Sequence, residues 1–297
     1  MNTKIRTAIF PVAGLGTRLL PATISVPKEL MPIINTPLIQ FAVDEAREAG
    51  IERLVFVSHP SKLAIEKYLR HDTELHDMLS ANGNTDCLEM LNWQCPSACE
   101  TELIFTMQGE RKGLGHAVLC GRGLSHPGPV AVVLPDDLIF GEPGCLAQMI
   151  KAYEENGSRG HMVAAMEVAP TAVSSYGILS IAKDEGQLLR ANGIVEKPTP
   201  ETAPSTDAVV GRYILDETIF DALAQTPPGA GGEIQLTDAI AAELDHAPLL
   251  GFRFRGQRFD CGNPKGLLAA TVARASVDPD LYQMLGEQFV SHRFAAE

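Results

Sequence analysis

The sequence lacks several features that would each point to a particular class of protein. None of its six cysteines forms a C-x-x-C pair, and no histidine follows Cys95 and Cys99 at the spacing of a zinc site. No apolar run is long enough to span a membrane, and no signal-peptide core precedes the first apolar segment. Positive charge is scarce, since the net charge is −13. These absences predict free thiols, a cytoplasmic location and no bulk attraction to nucleic acid or to an anionic membrane.

The order of apolar segments is typical of an α/β protein. A strand pattern from Ala8 to Val12 precedes a helix pattern over 37–50, and the alternation continues through residue 69. We therefore expect a Rossmann-like, doubly wound mixed sheet that is mostly parallel. Residues 71–101 interrupt the rhythm as a helical insertion, and 264–297 predict C-terminal helices that pack on the sheet or on another subunit. Alternating Phe and Arg over 249–259 predict a strand with one wet face at a sheet edge.

The first strand ends in a glycine-rich loop that matches neither common phosphate fingerprint. The loop runs from Ala13 to Arg18; it lacks the third glycine of G-x-G-x-x-G and contains no Walker sequence. Its two glycines permit a sharp turn, and successive N–H groups in such a turn bind anions. Arg18 and the nearby Lys28 add positive charge. The pattern predicts a site for the phosphates of a nucleoside triphosphate, with an ordinary strand-to-loop turn as the alternative.

Two carboxylates follow the most apolar strand pattern. Residues 130–134 are continuously apolar, which predicts a strand buried on both faces, and Asp136 and Asp137 come directly after it. Ligands of open α/β sheets lie outside the carboxyl ends of the strands. A carboxylate at that position can hold Mg²⁺, which prefers oxygen ligands and phosphates. An exposed Asp pair in a turn is the alternative.

A second charged pair, Glu196 and Lys197, precedes Pro198. Glutamate can accept hydrogen bonds from sugar hydroxyls, and lysine can pair with a sugar phosphate. Neighbouring strand residues face opposite sides, so both reach one ligand only if the strand bends, as Pro198 favours. On chemistry alone, an exposed salt-bridged pair explains these residues better than a ligand site does.

Taken together, these segments resemble the signature of sugar-nucleotide pyrophosphorylases, most closely the bacterial UTP–glucose-1-phosphate uridylyltransferases. The matching segments are Gly14–Thr23, Pro27–Leu30, Gly113–Ala117, Leu134–Asp136, Tyr176–Gly177, Val195–Pro198 and Asp260–Asn263. The resemblance covers residues 8–263. It implies a single nucleotidyltransferase domain over 1–297, with a nucleotide-binding half (8–140) and a sugar-phosphate-binding half (141–263). It also makes 264–297 a candidate oligomer contact.

The resemblance implies a role for each matched residue. Arg18, Lys28 and Lys197 are implied to act in catalysis, and Asp136 and Asp260 to bind the metal. The residues implied to bind the nucleotide are Ala13, Gly14, Gly16, Thr17, Glu29, Gln108, Gly113 and Gly115. Those implied to bind the sugar phosphate are Gly177, Glu196, Lys197, Gly211, Tyr213 and Glu233. Simple backbone packing is the alternative for Gly113 and Gly115, and Asp137 receives no metal role.

The implied activity is uridylyl transfer from UTP to glucose 1-phosphate, giving UDP-glucose and pyrophosphate with Mg²⁺ as cofactor. The implied assembly is a homo-oligomer, a dimer or a tetramer. Ile24 stands where many members of the family carry lysine, which keeps open a non-catalytic regulatory paralogue that binds sugar nucleotide. A pyrophosphorylase for dTTP or another sugar 1-phosphate is also open, because a pocket discriminates weakly against one methyl group.

Overall fold

A computed structural model describes residues 4–70, 72–94 and 101–294. Within these ranges the strands are β1 Thr7–Pro11, β2 Pro32–Ile33, β3 Thr36–Pro37, β4 Arg53–Ser58, β5 Glu102–Met107, β6 Val130–Val133, β7 Asp137–Phe140, β8 His161–Glu167, β9 Gly177–Glu185, β10 Leu188–Glu196, β11 Asp207–Leu215, β12 Leu249–Arg253 and β13 Gln257–Asp260. The α-helices are α1 Leu38–Glu48, α2 Leu63–Leu69, α3 Thr73–Ala81, α4 Thr85–Gln94, α5 Leu114–Cys120, α6 Cys145–Glu155, α7 Ile219–Gln225, α8 Leu236–Ala242, α9 Pro264–Ala275 and α10 Pro279–Phe294.

Nine of these strands form one mixed sheet in the order β5-β4-β1-β6-β11-β8-β12-β10-β9. Strands β5, β4, β1 and β6 are mutually parallel, and we call them the parallel region. The other five strands form the mixed region, in which β8 and β12 are parallel and the remaining pairs are antiparallel. The doubly wound mixed sheet is therefore confirmed. The expectation of mostly parallel pairing holds only for the parallel region, because β11 enters antiparallel to β6.

Helices cover both faces of the sheet because alternate strand residues point to opposite sides. In β1, Ala8 and Phe10 belong to a core cluster with residues of α1, α2 and α6. Ile9 between them belongs to a second cluster with residues of α5, α7 and α8. All four residues of β6 are buried, which confirms the strand buried on both faces. Each fully buried aliphatic side chain contributes roughly 1.5–3 kcal/mol to folding.

The helical insertion and the C-terminal helices are present where the sequence predicts them. Helices α3 and α4 form the described part of the insertion; residues 71 and 95–100, including Cys95 and Cys99, lie outside the described residues. The four described cysteines are free thiols. Helix α9 packs on the small β7–β13 sheet, where Ala270 joins Phe259 and Cys261. Over the described ranges, no helix has the length and apolar character that crossing a bilayer requires.

The prediction of a single strand over 249–259 with one solvent-exposed face is wrong. Strand β12 lies inside the large sheet, between β8 and β10, whereas β13 pairs with β7 in a separate sheet. The chain turns between them at Gly256, whose φ of 144° suits only glycine. Two of the three arginines that suggested a wet face are paired within the fold, Arg253 with Asp207 and Arg258 with Asp137.

Candidate active site

The glycine-rich loop after β1 is a tight turn that needs glycine at one position. Gly16 adopts a left-handed conformation with φ 70°, and its carbonyl accepts a hydrogen bond of 2.9 Å from Thr23 Oγ1. A Cβ at Gly16 would come within 3.1 Å of the Thr23 methyl group and 3.2 Å of Lys28 Cβ. Gly14 is exposed and open to a ligand. The turn thus holds Lys28 against the loop and leaves Gly14 accessible.

Four predicted residues from distant parts of the chain meet beside this loop. Lys28 Nζ donates to Asp136 Oδ2 at 2.5 Å, and Arg18 donates to both carboxylate oxygens of Asp260 at 2.9 and 3.3 Å. A Cβ at Gly262 would lie 2.7 Å from Asp136 Oδ2 and 3.0 Å from Asp260 Oδ1. Arg18 Nη2 would lie 2.5 Å from the same Cβ, so both carboxylates and the guanidinium group meet at a position where only glycine leaves room for them.

The charges of the Lys28–Asp136 pair reinforce each other. Burial alone raises the pKa of Asp136, but the charge and the hydrogen bond of Lys28 lower it by a larger amount. The net pKa therefore lies below the ordinary value. Burial likewise lowers the pKa of Lys28, while Asp136 and Glu29 raise it by more, to a net value above the ordinary one. Both groups are therefore charged at neutral pH.

The carboxylates of Asp136 and Asp260 fit a hard divalent cation. In the described part of the chain, no group of three His, Cys, Asp or Glu side chains is arranged to hold a metal alone. Mg²⁺ is commonly bound by one or two carboxylates together with substrate phosphates and water. The two oxygens beside Gly262 meet that requirement, and such a cation would share them with Lys28 and Arg18.

A cavity of about 490 Å³ opens between the parallel and the mixed regions. The predicted residues that line it are Arg18, Asp136, Gly177, Glu196, Lys197, Gly211, Tyr213 and Asp260. The predicted residues outside this lining are Ala13, Gly14, Gly16, Thr17, Lys28, Glu29, Gln108, Gly113, Gly115 and Glu233. The structure thus gathers the sugar-phosphate set, except Glu233, with both candidate metal ligands.

Glu196 and Lys197 reach the same cavity because the chain bends between them. Strand β10 ends at Glu196, and Lys197 has a positive φ of 44°, a conformation that costs a non-glycine residue about 1–3 kcal/mol. Lys197 Nζ consequently lies 3.1 Å from Glu196 Oε1, while Glu196 Oε2 accepts from Thr237 Oγ1 at 3.0 Å. The expected bend therefore occurs at Lys197 itself, before Pro198.

Glu29 does not face the nucleotide loop's surface, which corrects its predicted role. The residue is fully buried, and its two carboxylate oxygens accept from Lys62 Nζ at 2.9 and 2.8 Å. Burial raises the pKa of Glu29 and lowers that of Lys62. The pair ties the turn containing Lys28 to the turn after β4. A motif match cannot report exposure, and for that reason the sequence placed Glu29 on the ligand.

The segment around Gln108 is packed within the protein. Gln108 is buried, and its amide nitrogen donates to Gly113 O at 3.2 Å and lies 2.9 Å from His116 Nδ1. Gly115 N–H donates to Ile234 O at 2.9 Å, and a Cβ at Gly113 would come within 2.7 Å of Glu233 Cβ. The two glycines therefore allow close packing of residues 233–234. Contact of this segment with a base stays a prediction.

The sequence missed a buried cluster on the cavity wall. Arg258 donates from Nε to Asp137 Oδ1 at 2.7 Å and from Nη1 to the Tyr176 hydroxyl at 2.9 Å. Asp137 Oδ2 accepts from Gly211 N–H at 2.8 Å. Asp137 is thus committed to Arg258, in line with its having no assigned metal role. Asp137 lies opposite Asp260 in the β7–β13 pairing. This pairing register reveals the cluster, but it is not visible in the sequence.

The profile of the nucleotidyl transferase family matches residues 8–276. The chain belongs to the nucleotidyl transferase family. It is 44% identical over 269 residues to the UTP–glucose-1-phosphate uridylyltransferase of Pseudomonas aeruginosa, covering 90% of this chain and 95% of that one. It is 42% identical to the enzyme of the same name from Escherichia coli (strain K12), covering 92% and 91%. The resemblance predicted from the motifs is confirmed.

Solved structures give the same result for the fold. The UDP-glucose pyrophosphorylase of Acinetobacter baumannii superposes with a TM-score of 0.88 at 37% identity, covering 97% of this chain and 99% of that one. A UDP-glucose pyrophosphorylase complexed with UDP-glucose superposes with a TM-score of 0.79 at 38% identity, covering 91% and 98%. The matched range of the family contains every segment that lines the cavity of this nucleotidyl transferase.

Proposed function

We propose that this nucleotidyl transferase catalyses uridylyl transfer from UTP to glucose 1-phosphate, yielding UDP-glucose and pyrophosphate. The observation that carries the proposal is the cavity between the two regions, where Lys197 and Glu196 face the same space as Asp136, Asp260 and Arg18. A sugar phosphate and a nucleotide phosphate can meet there. The names of the relatives, at 40–44% identity, support this activity over others of the family.

We place UTP on the parallel region and glucose 1-phosphate on the mixed region. UTP lies over the loop from Ala13 to Arg18, with its base towards Gln108. The sugar hydroxyls bind Glu196, whose carboxylate is only partly buried, and the sugar phosphate binds Lys197, whose side chain is 56% exposed. Gly177 and Gly211 line the cavity beside them.

The reaction then needs no side chain as a nucleophile. A phosphate oxygen of glucose 1-phosphate attacks the α-phosphorus of UTP in line. The new oxygen–phosphorus bond forms as the bond to the bridging oxygen breaks, and pyrophosphate leaves with that electron pair. The nucleophile is already an anion, so no general base is required, and the described residues that line the cavity include neither His nor Cys. Rate enhancement comes from positioning and charge neutralisation.

Arg18, Lys28 and Lys197 reduce the repulsion between two anionic substrates. Arg18 lies next to Asp260, where it can shift from the carboxylate to a phosphate, and Lys28 lies at the loop that holds the triphosphate. Asp136 and Asp260 would hold Mg²⁺, which when bound supplies further charge neutralisation to the phosphates. Assembly into a homo-oligomer stays a prediction from the resemblance, and a cytoplasmic location stays a prediction from the features that the sequence lacks.

The test is release of pyrophosphate from UTP, glucose 1-phosphate and Mg²⁺, with EDTA as a control and with dTTP and galactose 1-phosphate in parallel. We expect rapid release with UTP and glucose 1-phosphate that EDTA abolishes. Release that is faster with dTTP or galactose 1-phosphate would reassign the substrates. No release with any pair, together with measurable binding of UDP-glucose, would favour the regulatory paralogue. Ile24, which is 76% exposed, would then be the first residue to replace with lysine.

A further inference from the structure

Arg111 connects three loops at the carboxyl edge of the parallel region. It lies in the loop between β5 and α5, outside every matched motif. Its Nε donates to the carbonyl oxygen of Ala13, in the loop after β1, at 2.8 Å. Its Nη2 donates to Ser61 Oγ, in the turn after β4, at 3.2 Å. Because β5, β4 and β1 are neighbours in that order, one side chain spans the ends of three adjacent strands.

The charge of Arg111 also differs from that of the other cations nearby. In the described ranges, the following cations each pair with a carboxylate: Arg18 with Asp260, Lys28 with Asp136, Lys62 with Glu29, Lys112 with Glu110 and Lys197 with Glu196. The acceptors of Arg111 are a backbone carbonyl and a hydroxyl, which are neutral. Among the residues that the structure describes, no carboxylate forms an ion pair with its positive charge.

We propose that Arg111 is a positioning residue of the nucleotide site. It fixes the Ala13 peptide against the turn after β4 and places an uncompensated positive charge beside the loops that receive an anionic nucleotide. The inference rests on the proposed function, since it takes these loops as the site of UTP. The side-chain hydrogen bonds found for Arg111 among the described residues go to the loops after β1 and β4, so we expect its effect on the nucleotide and not on glucose 1-phosphate.

The first experiment compares steady-state kinetics of the full-length wild type and Arg111→Ala. We expect the KM for UTP to rise about 5- to 20-fold, because two hydrogen bonds and one charge are lost from the loops. The kcat and the KM for glucose 1-phosphate should stay within about twofold of wild type. The dissociation constant of UDP-glucose, measured by calorimetry, should rise with the KM for UTP, because the same loops hold its uridine.

Three further variants separate bridging from simple charge. Arg111→Lys keeps the charge, but its three donors lie on a single nitrogen and do not reproduce the separate Nε and Nη2 that make the bridge, so most of the defect should persist. Ser61→Ala should raise the KM for UTP by about two- to threefold, and adding it to Arg111→Ala should have no further effect. Arg122→Ala is the matched control: this exposed arginine pairs with Asp221 beyond the other end of α5, and its kinetics should equal wild type.

An unchanged KM for UTP in Arg111→Ala would overturn the proposal. So would an equal rise of both KM values together with a lowered Tm, because that result shows a general loss of structure. Full recovery by Arg111→Lys would show that charge alone matters and would remove the bridging role. If the wild type released no pyrophosphate, the proposed function would be refuted, but the proposal for Arg111 would still be open to test. Calorimetry with UTP would still decide about Arg111, with weaker binding supporting it and equal binding refuting it.

Discussion

In the parallel region the candidate groups stand on loops, whereas in the mixed region they stand on the strands themselves. Gly14, Gly16 and Arg18 follow the end of β1, and Lys28 belongs to a short 3₁₀ turn. Gly177, by contrast, begins β9, Glu196 ends β10, and Gly211 and Tyr213 lie within β11. A parallel sheet offers ligands only the ends of its strands, while strands that run in both directions bring side chains directly into the cavity.

This difference predicts separable effects on the two substrates. Groups on loops after parallel strands should affect the nucleotide, as proposed for Arg111, and groups on the mixed region should affect the sugar phosphate. Groups at the junction, where the parallel and the mixed regions meet at the cavity, should affect both substrates. Groups that hold the two regions together should affect stability without preference for either substrate.

The largest effect is expected at the junction, for Asp136→Asn. The change removes a carboxylate from the position beside Gly262 and leaves the partly buried Lys28 without its partner. We expect kcat/KM for both substrates to fall by about 10³-fold, or roughly 4 kcal/mol of transition-state stabilisation. Pyrophosphate release at increasing Mg²⁺ concentration measures it. Asp221→Asn, an exposed carboxylate beside Arg122, is the control, and a loss below about tenfold would remove Asp136 from the site.

A second test concerns the buried arginine that joins the regions. Arg212 on β11 is 1% exposed; it donates to both carboxylate oxygens of Glu45 on α1 and to Leu134 O in the loop before Asp136. Arg212→Met leaves the buried carboxylate of Glu45 without its arginine partner. The free energy of unfolding should therefore fall by about 3–5 kcal/mol. Denaturant titration measures it.

The double variant Arg212→Met/Glu45→Gln provides the comparison. It should recover much of the loss, because no unpaired charge remains and glutamine still accepts from Leu146 N–H. KM values of the folded protein should shift together or not at all. A shift in the KM for one substrate alone would mean that Arg212 belongs to that substrate's site.

On the mixed region, Lys197→Gln should be selective for the sugar phosphate. Loss of one charge-assisted contact should raise the KM for glucose 1-phosphate by about tenfold or more and leave the KM for UTP unchanged. This result would mirror the one expected for Arg111. Lys183→Gln is a matched control, because Lys183 is an exposed lysine on β9 that pairs with Glu185 outside the cavity. Equal rises in both KM values would contradict the assignment of UTP to the parallel region and of glucose 1-phosphate to the mixed region.

The same contrast explains what the sequence could and could not predict. Each loop of the site is a continuous piece of the chain, so Gly16, Arg18 and Asp136 were visible as local patterns. A strand-borne site depends on register, and the cluster of Arg258 with Asp137 arises only when β13 pairs with β7. Burial of Glu29 depends on Lys62, which is distant in the sequence. Local patterns show which chemical groups a loop contains. Strand pairing and side-chain burial, in contrast, are properties of the assembled fold.

The smallest expected effect is that of pH. The pKa of Asp136 is lowered from 3.8, so the contribution of this carboxylate to stability is present above that value and is lost as the pH falls through the lower folded value. The pKa of Lys28 is raised from 10.5, so its contribution is present below that value and is lost as the pH rises through the higher one. The pair therefore stays charged throughout the neutral range.

The histidine beside Gln108 should not titrate above neutrality either. Burial lowers the pKa of His116, beside Gln108, so this imidazole is already neutral above pH 7. Sugar phosphates lose their second proton near pH 6. With Mg²⁺ saturating, kcat/KM should vary by less than about twofold between pH 7.5 and 9. A tenfold change across that interval would require a titrating acid or base in the reaction. It would overturn the mechanism in which an anionic nucleophile needs only positioning and charge.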